Sequence, residues 1–173
     1  MKKAREVAFL GIITALSVVS LFIGTIIGVL DITAAVLASL LVLVAFEELR
    51  WKSILVYFAT IIISFCFAFF KSPLPAAEYT IFALYPLIKP LFDKLPNVIG
   101  YILKGVYTVV ASLVTVVVMY LLVPSAAEKP YMLAIYVAMF IVTVILFEML
   151  IVRFRRYYRF KLRGQLRIDK FFK

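Results

Sequence analysis

Residues 76–92 read AAEYTIFALYPLIKPLF, an apolar run that carries Glu78, Lys89 and the prolines Pro86 and Pro90. Proline lacks a backbone donor, so both prolines are expected to kink a helix at this place. The run is long enough to cross a bilayer, which takes roughly 20 residues with about 17 tolerated. A re-entrant or interfacial placement is the alternative, and the choice between them determines on which side of the membrane the chain ends.

Apolar runs also occupy most of the remaining chain. The protein is 66% hydrophobic and 16% charged, with a mean hydropathy of +1.13, whereas soluble domains are nearer half apolar and a quarter charged. Unpaired backbone groups cannot face hydrocarbon, so long continuous runs are expected to be helices. The composition therefore predicts an all-α, polytopic membrane protein. The other five runs are residues 7–30, 32–46, 54–70, 98–123 and 131–152.

The distribution of basic residues predicts the orientation. If all six runs cross, only Lys71 and Lys129 among the Lys and Arg residues fall on the side opposite the amino terminus. Basic residues collect on the cytoplasmic side of membrane proteins. If residues 76–92 did not cross, the basic stretch at 153–173 would lie outside. The sequence therefore predicts a six-helix transmembrane domain over residues 1–152, a basic cytoplasmic tail over 153–173, and both termini in the cytoplasm.

Several kinds of chemistry are excluded by residue types that are missing. The chain has no histidine and a single cysteine, Cys66, which removes His-dependent nucleophiles, His-ligated zinc and intrachain disulfides. The phosphate-binding patterns G-x-x-x-x-G-K-[ST] and G-x-G-x-x-G are absent as well. We therefore expect no enzymatic activity, no catalytic residue, no metal and no cofactor, and any energy for transport to come from a partner or a gradient.

The first run carries a stripe of small residues, which we name the small-residue stripe. Its members are spaced by four, three and four positions, so they share one face of a helix. Helix association in lipid depends on close backbone approach, and small side chains allow it. The stripe is expected either to pack on the protein's own helices or to dock another membrane subunit. It consists of Ala4, Ala8, Gly11 and Ala15.

The stripe and the topology together resemble a known family. A basic amino terminus leads into residues 8–17, AFLGIITALS, within a chain of six predicted helices that has no ATPase motif. This is similar to the substrate-binding S components of energy-coupling factor (ECF) transporters, whose first helix packs on the coupling subunit through an Ala-x-x-x-Ala motif. Ala4 and Ala8 fit the motif literally, and Gly11 and Ala15 fit it with glycine in the first place.

The resemblance implies a transmembrane coupling subunit and ATPases as partners, uptake of a small-molecule substrate, and location in a bacterial cell membrane. The residues that family members use for particular vitamins have no counterpart in this chain. No substrate is therefore carried over from the family.

The fourth run also suggests a substrate-binding site. Tyr85 and Lys89 follow Glu78 by seven and eleven positions. This spacing places all three residues on one face of a helix. If that face looks inward, Glu78 and Asp31 are expected to supply anionic contacts at the outer end, and Tyr79 or Tyr85 to stack on a ring. The alternative is an interfacial Glu78 at a helix start and a Lys89 that snorkels.

Two ionisable residues lie at matching depths near the predicted inner end. Lys104 and Glu148 are both roughly 6 to 9 Å inside their runs, at about 1.5 Å per residue. A charge inside a span is costly and is usually paired. The sequence therefore predicts an inner charge cluster of Lys104 and Glu148, joined by Lys89, which either holds neighbouring helices together or gates the cytoplasmic side.

The tail has arginines at intervals of four beside an apolar row. A helix with this pattern is expected to lie on anionic lipid of the inner leaflet. An acidic cytoplasmic protein is the other candidate for the tail, whereas nucleic acid is disfavoured because no recognition fold accompanies the basic residues. The predicted lipid-binding residues are Arg155, Arg159, Arg163 and Arg167.

Two functions from different classes follow. The first is a membrane-embedded substrate-binding subunit of a multi-subunit importer for a small organic solute. The second is a non-transporting structural or lipid-interacting membrane protein, in which the anionic-lipid-binding tail does the work. A stand-alone carrier would need more helices than this chain has, or a dimer.

Overall fold

The structure is a computed structural model that describes residues 2–68, 72–122, 130–165 and 168. Six long helices follow one another in these ranges, and each coincides with one of the six apolar runs. The prediction of an all-α fold is therefore confirmed. The helices are α1 (Lys2–Ile26), α2 (Asp31–Leu49), α3 (Ser53–Ala68), α4 (Leu74–Phe92), α5 (Asn97–Leu122) and α6 (Pro130–Tyr157).

Four stretches of the described chain are long and apolar enough to cross a membrane. One of them, Asp31–Phe67, contains both α2 and α3. A 3-10 turn, Arg50–Lys52, separates these two helices, and Arg50 there has a φ of 48°. The hydroxyl of Ser53 donates to the Arg50 carbonyl oxygen at 2.6 Å and closes the turn. The four stretches are Lys3–Ile26, Asp31–Phe67, Asn97–Val118 and Val137–Gln165.

α4 is not among the four apolar stretches, yet it lies at the centre of the molecule. It packs along α2 and also contacts α1, α3 and α5. Tyr79, Phe82, Ala83 and Lys89 of this helix are all buried. A helix that carries ionisable residues and internal prolines is tolerated in a bilayer when other helices surround it. α4 continues as one helix through both prolines.

Helices that follow one another in the chain run in opposite directions. The hydroxyls of Ser17 and Ser20 on α1 donate to the carbonyl oxygens of Ala38 and Ala34 on α2. Residue numbers rise along α1 as those of its partners on α2 fall, so the two helices are antiparallel. α4 and α5 are antiparallel in the same way, whereas α4 and α6 are parallel. As a result the start of α1, the Arg50–Lys52 turn and the end of α6 share one end of the bundle, which we name the tail end.

The end of α6 does not stop at the predicted domain boundary at residue 152. The helix runs on to Tyr157, continues as a π-helical turn over Tyr158–Leu162 and ends in the short α-turn Arg163–Gln165. The described part of the tail is therefore a direct extension of the last helix, and Tyr158 within it is buried.

Candidate functional site

A cluster of buried polar groups lies at the end of the bundle opposite the tail end, which we name the far end. Glu78 of α4 is only 7% exposed, and its Oε2 atom has no hydrogen-bond partner among the described residues. Asp31, at the start of α2, is near enough for the two carboxylates to interact through their charges. Leaving a buried carboxylate oxygen unpaired is costly, so this group is a candidate ligand contact.

Three hydroxyls on α3 and α4 extend the cluster. Those of Thr60, Ser64 and Tyr79 are buried, and the hydroxyls of Thr60 and Tyr79 lie close enough to interact with each other. The ring of Tyr79 stacks on Tyr57 with 6.2 Å between centroids. Sequence reasoning missed Tyr57, Thr60 and Ser64, although their spacing of three and four positions is a signal for one polar helical face.

The described cavity at the far end is small. A cavity of about 10 Å³ lies beside the cluster, which is space for at most one water molecule. The described helices thus supply polar groups for a ligand but no room for an organic solute in this form. The cavity is lined by Val18, Leu21, Phe22, Thr25, Ser64, Phe67 and Ala76.

Tyr85 does not join Glu78, Tyr79 and Asp31. It lies about two helical turns further along α4, where its ring packs on Tyr107 and its hydroxyl donates to Glu148 Oε2 at 2.5 Å. The carboxylate on α6 therefore determines the environment of Tyr85. The far-end set consists of Glu78, Tyr79 and Asp31 from the predicted site, without Tyr85.

The structure brings the three residues of the predicted inner charge cluster together. Lys89 Nζ donates to Glu148 Oε1, and Lys104 Nζ lies 3.2 Å from the same oxygen. Lys89 is only 3% exposed, so it neither snorkels nor meets water freely. The cluster joins α4, α5 and α6 at the tail end of the bundle.

Asp93, just after α4, is a member of this cluster that the sequence analysis did not include. Its carboxylate lies 2.9 Å from Lys104 Nζ and 3.6 Å from Lys89 Nζ. Burial alone would raise the pKa of the Asp93 carboxyl, but hydrogen bonds and the charges of the two lysines hold that pKa below its usual value. Its position four residues after Lys89 was the available signal.

The small-residue stripe is exposed along its whole length. Ala4, Ala8, Gly11 and Ala15 face away from the bundle, and nothing lies within 4 Å of a Cβ built on Gly11. The buried face of α1 is a different one. It carries Phe9, Leu10, Ile13, Ser17, Leu21 and Gly24.

The tail arginines are paired with carboxylates at the end of α2. Arg155 and Arg159 each reach within 2.6 Å of Glu47, and Arg163 lies 3.0 Å from Glu48. The buried Tyr158 donates to Glu48 Oε1 at 2.8 Å. Three of the arginines expected on lipid are thus engaged within the protein, whereas Arg167 lies outside the described residues.

Within the described ranges, no three Cys, Asp or Glu residues come together in a way that would hold a metal ion. No family model, no curated protein and no solved structure matches the chain. Any functional assignment therefore depends on the geometry and on the sequence patterns.

Proposed function

We propose that the chain is a membrane-embedded substrate-binding subunit of a multi-subunit importer for a small organic solute. The observation that carries this proposal is Glu78, a buried carboxylate with an unpaired oxygen, grouped with Asp31 and the hydroxyl of Tyr79 at the far end. A polar group held without a partner in a membrane helix is a default candidate for a functional site.

The proposal includes six membrane crossings with both termini in the cytoplasm. Support comes from the alternating direction of the six helices and from the charges at the tail end. Arg50, Lys52 and Lys94 lie there with the arginines that follow α6, as the positive-inside rule requires of the cytoplasmic side. The polar cluster at the far end then faces the outside.

In this proposal, solute enters from the far end. The charge cluster of Lys89, Lys104, Asp93 and Glu148 ties α4, α5 and α6 together at the tail end. α3 is held to α4 by an uncharged contact, the hydrogen bond from the Tyr57 hydroxyl to the Thr80 carbonyl oxygen. Separation of α3 from α4 at the far end would expose Glu78 and Tyr79 to a solute, and the inner cluster would keep the cytoplasmic side shut.

The small-residue stripe is the proposed docking face for the coupling subunit. It is not used for packing within the described chain, and small side chains allow a second helix to approach closely. This matches what the resemblance to ECF S components implies for the first helix.

Co-purification from the native membrane tests the docking face. Ala8→Leu and Gly11→Leu should abolish recovery of a coupling subunit and its ATPases, because each adds bulk to the stripe. Leu16→Phe is the matched control, since Leu16 is an exposed residue of α1 that lies roughly 110° around the helix from the centre of the stripe. A complex recovered equally well with all three variants would refute the docking face.

The solute site has a separate test. Native mass spectrometry of gently solubilised protein should show a bound small molecule that is lost in Glu78→Gln and retained in Ala8→Leu. Bound solute that survives Glu78→Gln unchanged would overturn the assignment of the site.

The alternative, a lipid-interacting protein that works through its tail, requires arginines free to meet lipid. Arg155, Arg159 and Arg163, which the sequence analysis assigned to lipid, are paired with Glu47 and Glu48, so among the described tail arginines such a role would fall to the exposed Arg153 and Arg156. Under the alternative, removal of residues 153–173 abolishes function while Glu78→Gln does not, and the importer proposal expects Glu78→Gln to be the damaging change.

A further inference from the structure

A second cavity lies at the tail end, between the last turns of α2 and α4. Its volume is about 270 Å³, just below the roughly 300 Å³ at which pockets for small organic molecules begin. One part of the wall is apolar and the other is charged. The lining residues are Phe46, Glu47, Arg50, Trp51, Leu87, Pro90, Leu91, Lys94 and Arg159.

The charges around this cavity do not cancel. Arg159 is paired with Glu47 at 2.6 Å, whereas Arg50 and Lys94 form no ion pair within the described part of the chain. The nearby carboxyl-terminal ends of α2 and α4 each contribute about half a negative elementary charge. Two unpaired cations exceed that amount, so the cavity retains net positive charge.

The backbone of Arg50 adopts a conformation that is unusual for a residue with a side chain. Its φ of 48° and ψ of −120° suit glycine, and it is the one non-glycine residue with positive φ among those described. Such a conformation strains a residue with a Cβ and is found where the side chain is needed. Here that side chain is a long cation at the rim of the cavity.

The apolar side of the cavity opens where a membrane interface is expected. Trp51 is 57% exposed and packs edge-on against Phe46 at 6.3 Å, and Leu91 is also exposed. Tryptophan is enriched at the level of lipid headgroups. The cavity thus combines unpaired cations, an exposed tryptophan and an apolar wall.

We propose that this cavity binds the headgroup of an anionic phospholipid of the inner leaflet. Arg50 and Lys94 contact the phosphate, and an acyl chain follows the apolar surface past Leu91. The site overlaps the tail arginines that the sequence analysis assigned to lipid at Arg159, which is paired with Glu47. Its place in the inner leaflet rests on the orientation given under the proposed function, with the tail end in the cytoplasm.

Lipid retention measured by native mass spectrometry tests the site. The protein is reconstituted with equal amounts of phosphatidylglycerol and phosphatidylcholine, released, and scored for tightly held lipid. The wild type should retain one phosphatidylglycerol. Arg50→Gly with Lys94→Gln should weaken that retention about thirtyfold, since each direct ion pair with the phosphate contributes about fivefold.

The control is Arg153→Gln with Arg156→Gln, which removes two exposed tail-end charges that line a separate surface pocket. Retention of the tightly held lipid should change less than about twofold, because exposed charges that do not contact its phosphate are screened by salt. Arg50→Gly alone should leave the unfolding temperature unchanged or higher, because glycine relieves the positive φ. That result separates loss of lipid from loss of fold.

Three outcomes would overturn the proposal. The first is that the control pair weakens lipid retention as much as the cavity pair does, which would indicate general charge attraction. The second is that phosphatidylcholine is retained as strongly as phosphatidylglycerol. The third is that soluble glycerol phosphate binds the wild type as tightly as the lipid does, which would make the ligand a free phosphate compound.

Discussion

Gly11 and Gly24 lie on the same helix in opposite surroundings. A Cβ added at Gly24 would be 2.6 Å from the Cβ of Ala34 on α2, whereas one added at Gly11 meets nothing within 4 Å. The first glycine is exposed, and the second allows α1 and α2 to approach closely.

We predict that Gly24→Ala destabilises the bundle by about 1 to 3 kcal/mol, because the short Ala34 side chain cannot move aside. Gly11→Ala should stabilise the helix by about 0.5 to 1 kcal/mol. Unfolding in detergent with increasing SDS measures both. Equal effects at the two positions would contradict the packing of α1 on α2.

Glu148 accepts from Tyr85, Lys89 and Lys104, so it is the shared partner of the inner charge cluster. We predict that Glu148→Gln lowers the free energy of unfolding by about 2 kcal/mol, because the buried Lys89 loses its closest counter-charge. A double-mutant cycle of Glu148→Gln with Lys104→Met should give a coupling energy on the order of 1 kcal/mol.

The control cycle uses Glu6 and Lys52, a pair 2.5 Å apart in which the lysine is 55% exposed. Its coupling should stay below about 0.5 kcal/mol. Additive losses in the Lys104 cycle would mean that the two groups do not interact.

Much of this cluster follows from the sequence, because depth within a span can be counted along a helix. Lys104 and Glu148 matched in depth, and Lys89 shared a face with Glu78. Counting along α4 also places Tyr85 about two turns from Glu78, so one shared helical face was not enough to put both in one site. Counting cannot show which residue of another helix a side chain meets, and the Tyr85 hydroxyl donates to Glu148 on α6.

At the scale of elements, the sequence predicts the helices well and their partners poorly. The six apolar runs mark all six helices to within a few residues. The pairing of the tail with α2 depends on α6 ending beside Glu47 and Glu48, a contact between residues more than 100 positions apart. Periodicity within the tail holds no information on such a contact.

We predict that Glu47→Gln with Glu48→Gln releases the tail from α2. Trypsin should then cleave after Arg155, Arg159 or Arg163 about tenfold faster, because local opening no longer breaks ion pairs worth about 1.4 kcal/mol in total. Cleavage is followed by mass spectrometry in detergent. Glu6→Gln, at the same end of the bundle, should leave the rate unchanged, and an unchanged rate in the double variant would argue against the docking.

At the scale of the whole molecule, burial is concentrated in α2 and α4, whereas α5 and α6 are mostly exposed and apolar. An apolar exterior around an interior that holds ionisable residues is the pattern expected of a protein in a bilayer. Composition alone predicted this class, because 28 charged residues cannot cover so much apolar surface. The small size of the described far-end cavity depends on how α3 and its neighbours pack, which no local pattern specifies.

The central claim is that the tail end faces the cytoplasm and the far end faces outside. Labelling of intact cells with a membrane-impermeant maleimide tests it, using single-cysteine variants in a Cys66→Ala background. Gly28→Cys, at an exposed turn of the far end, should be labelled in intact cells. Arg156→Cys, at the tail end, should be labelled only after permeabilisation, and its labelling in intact cells would contradict the account.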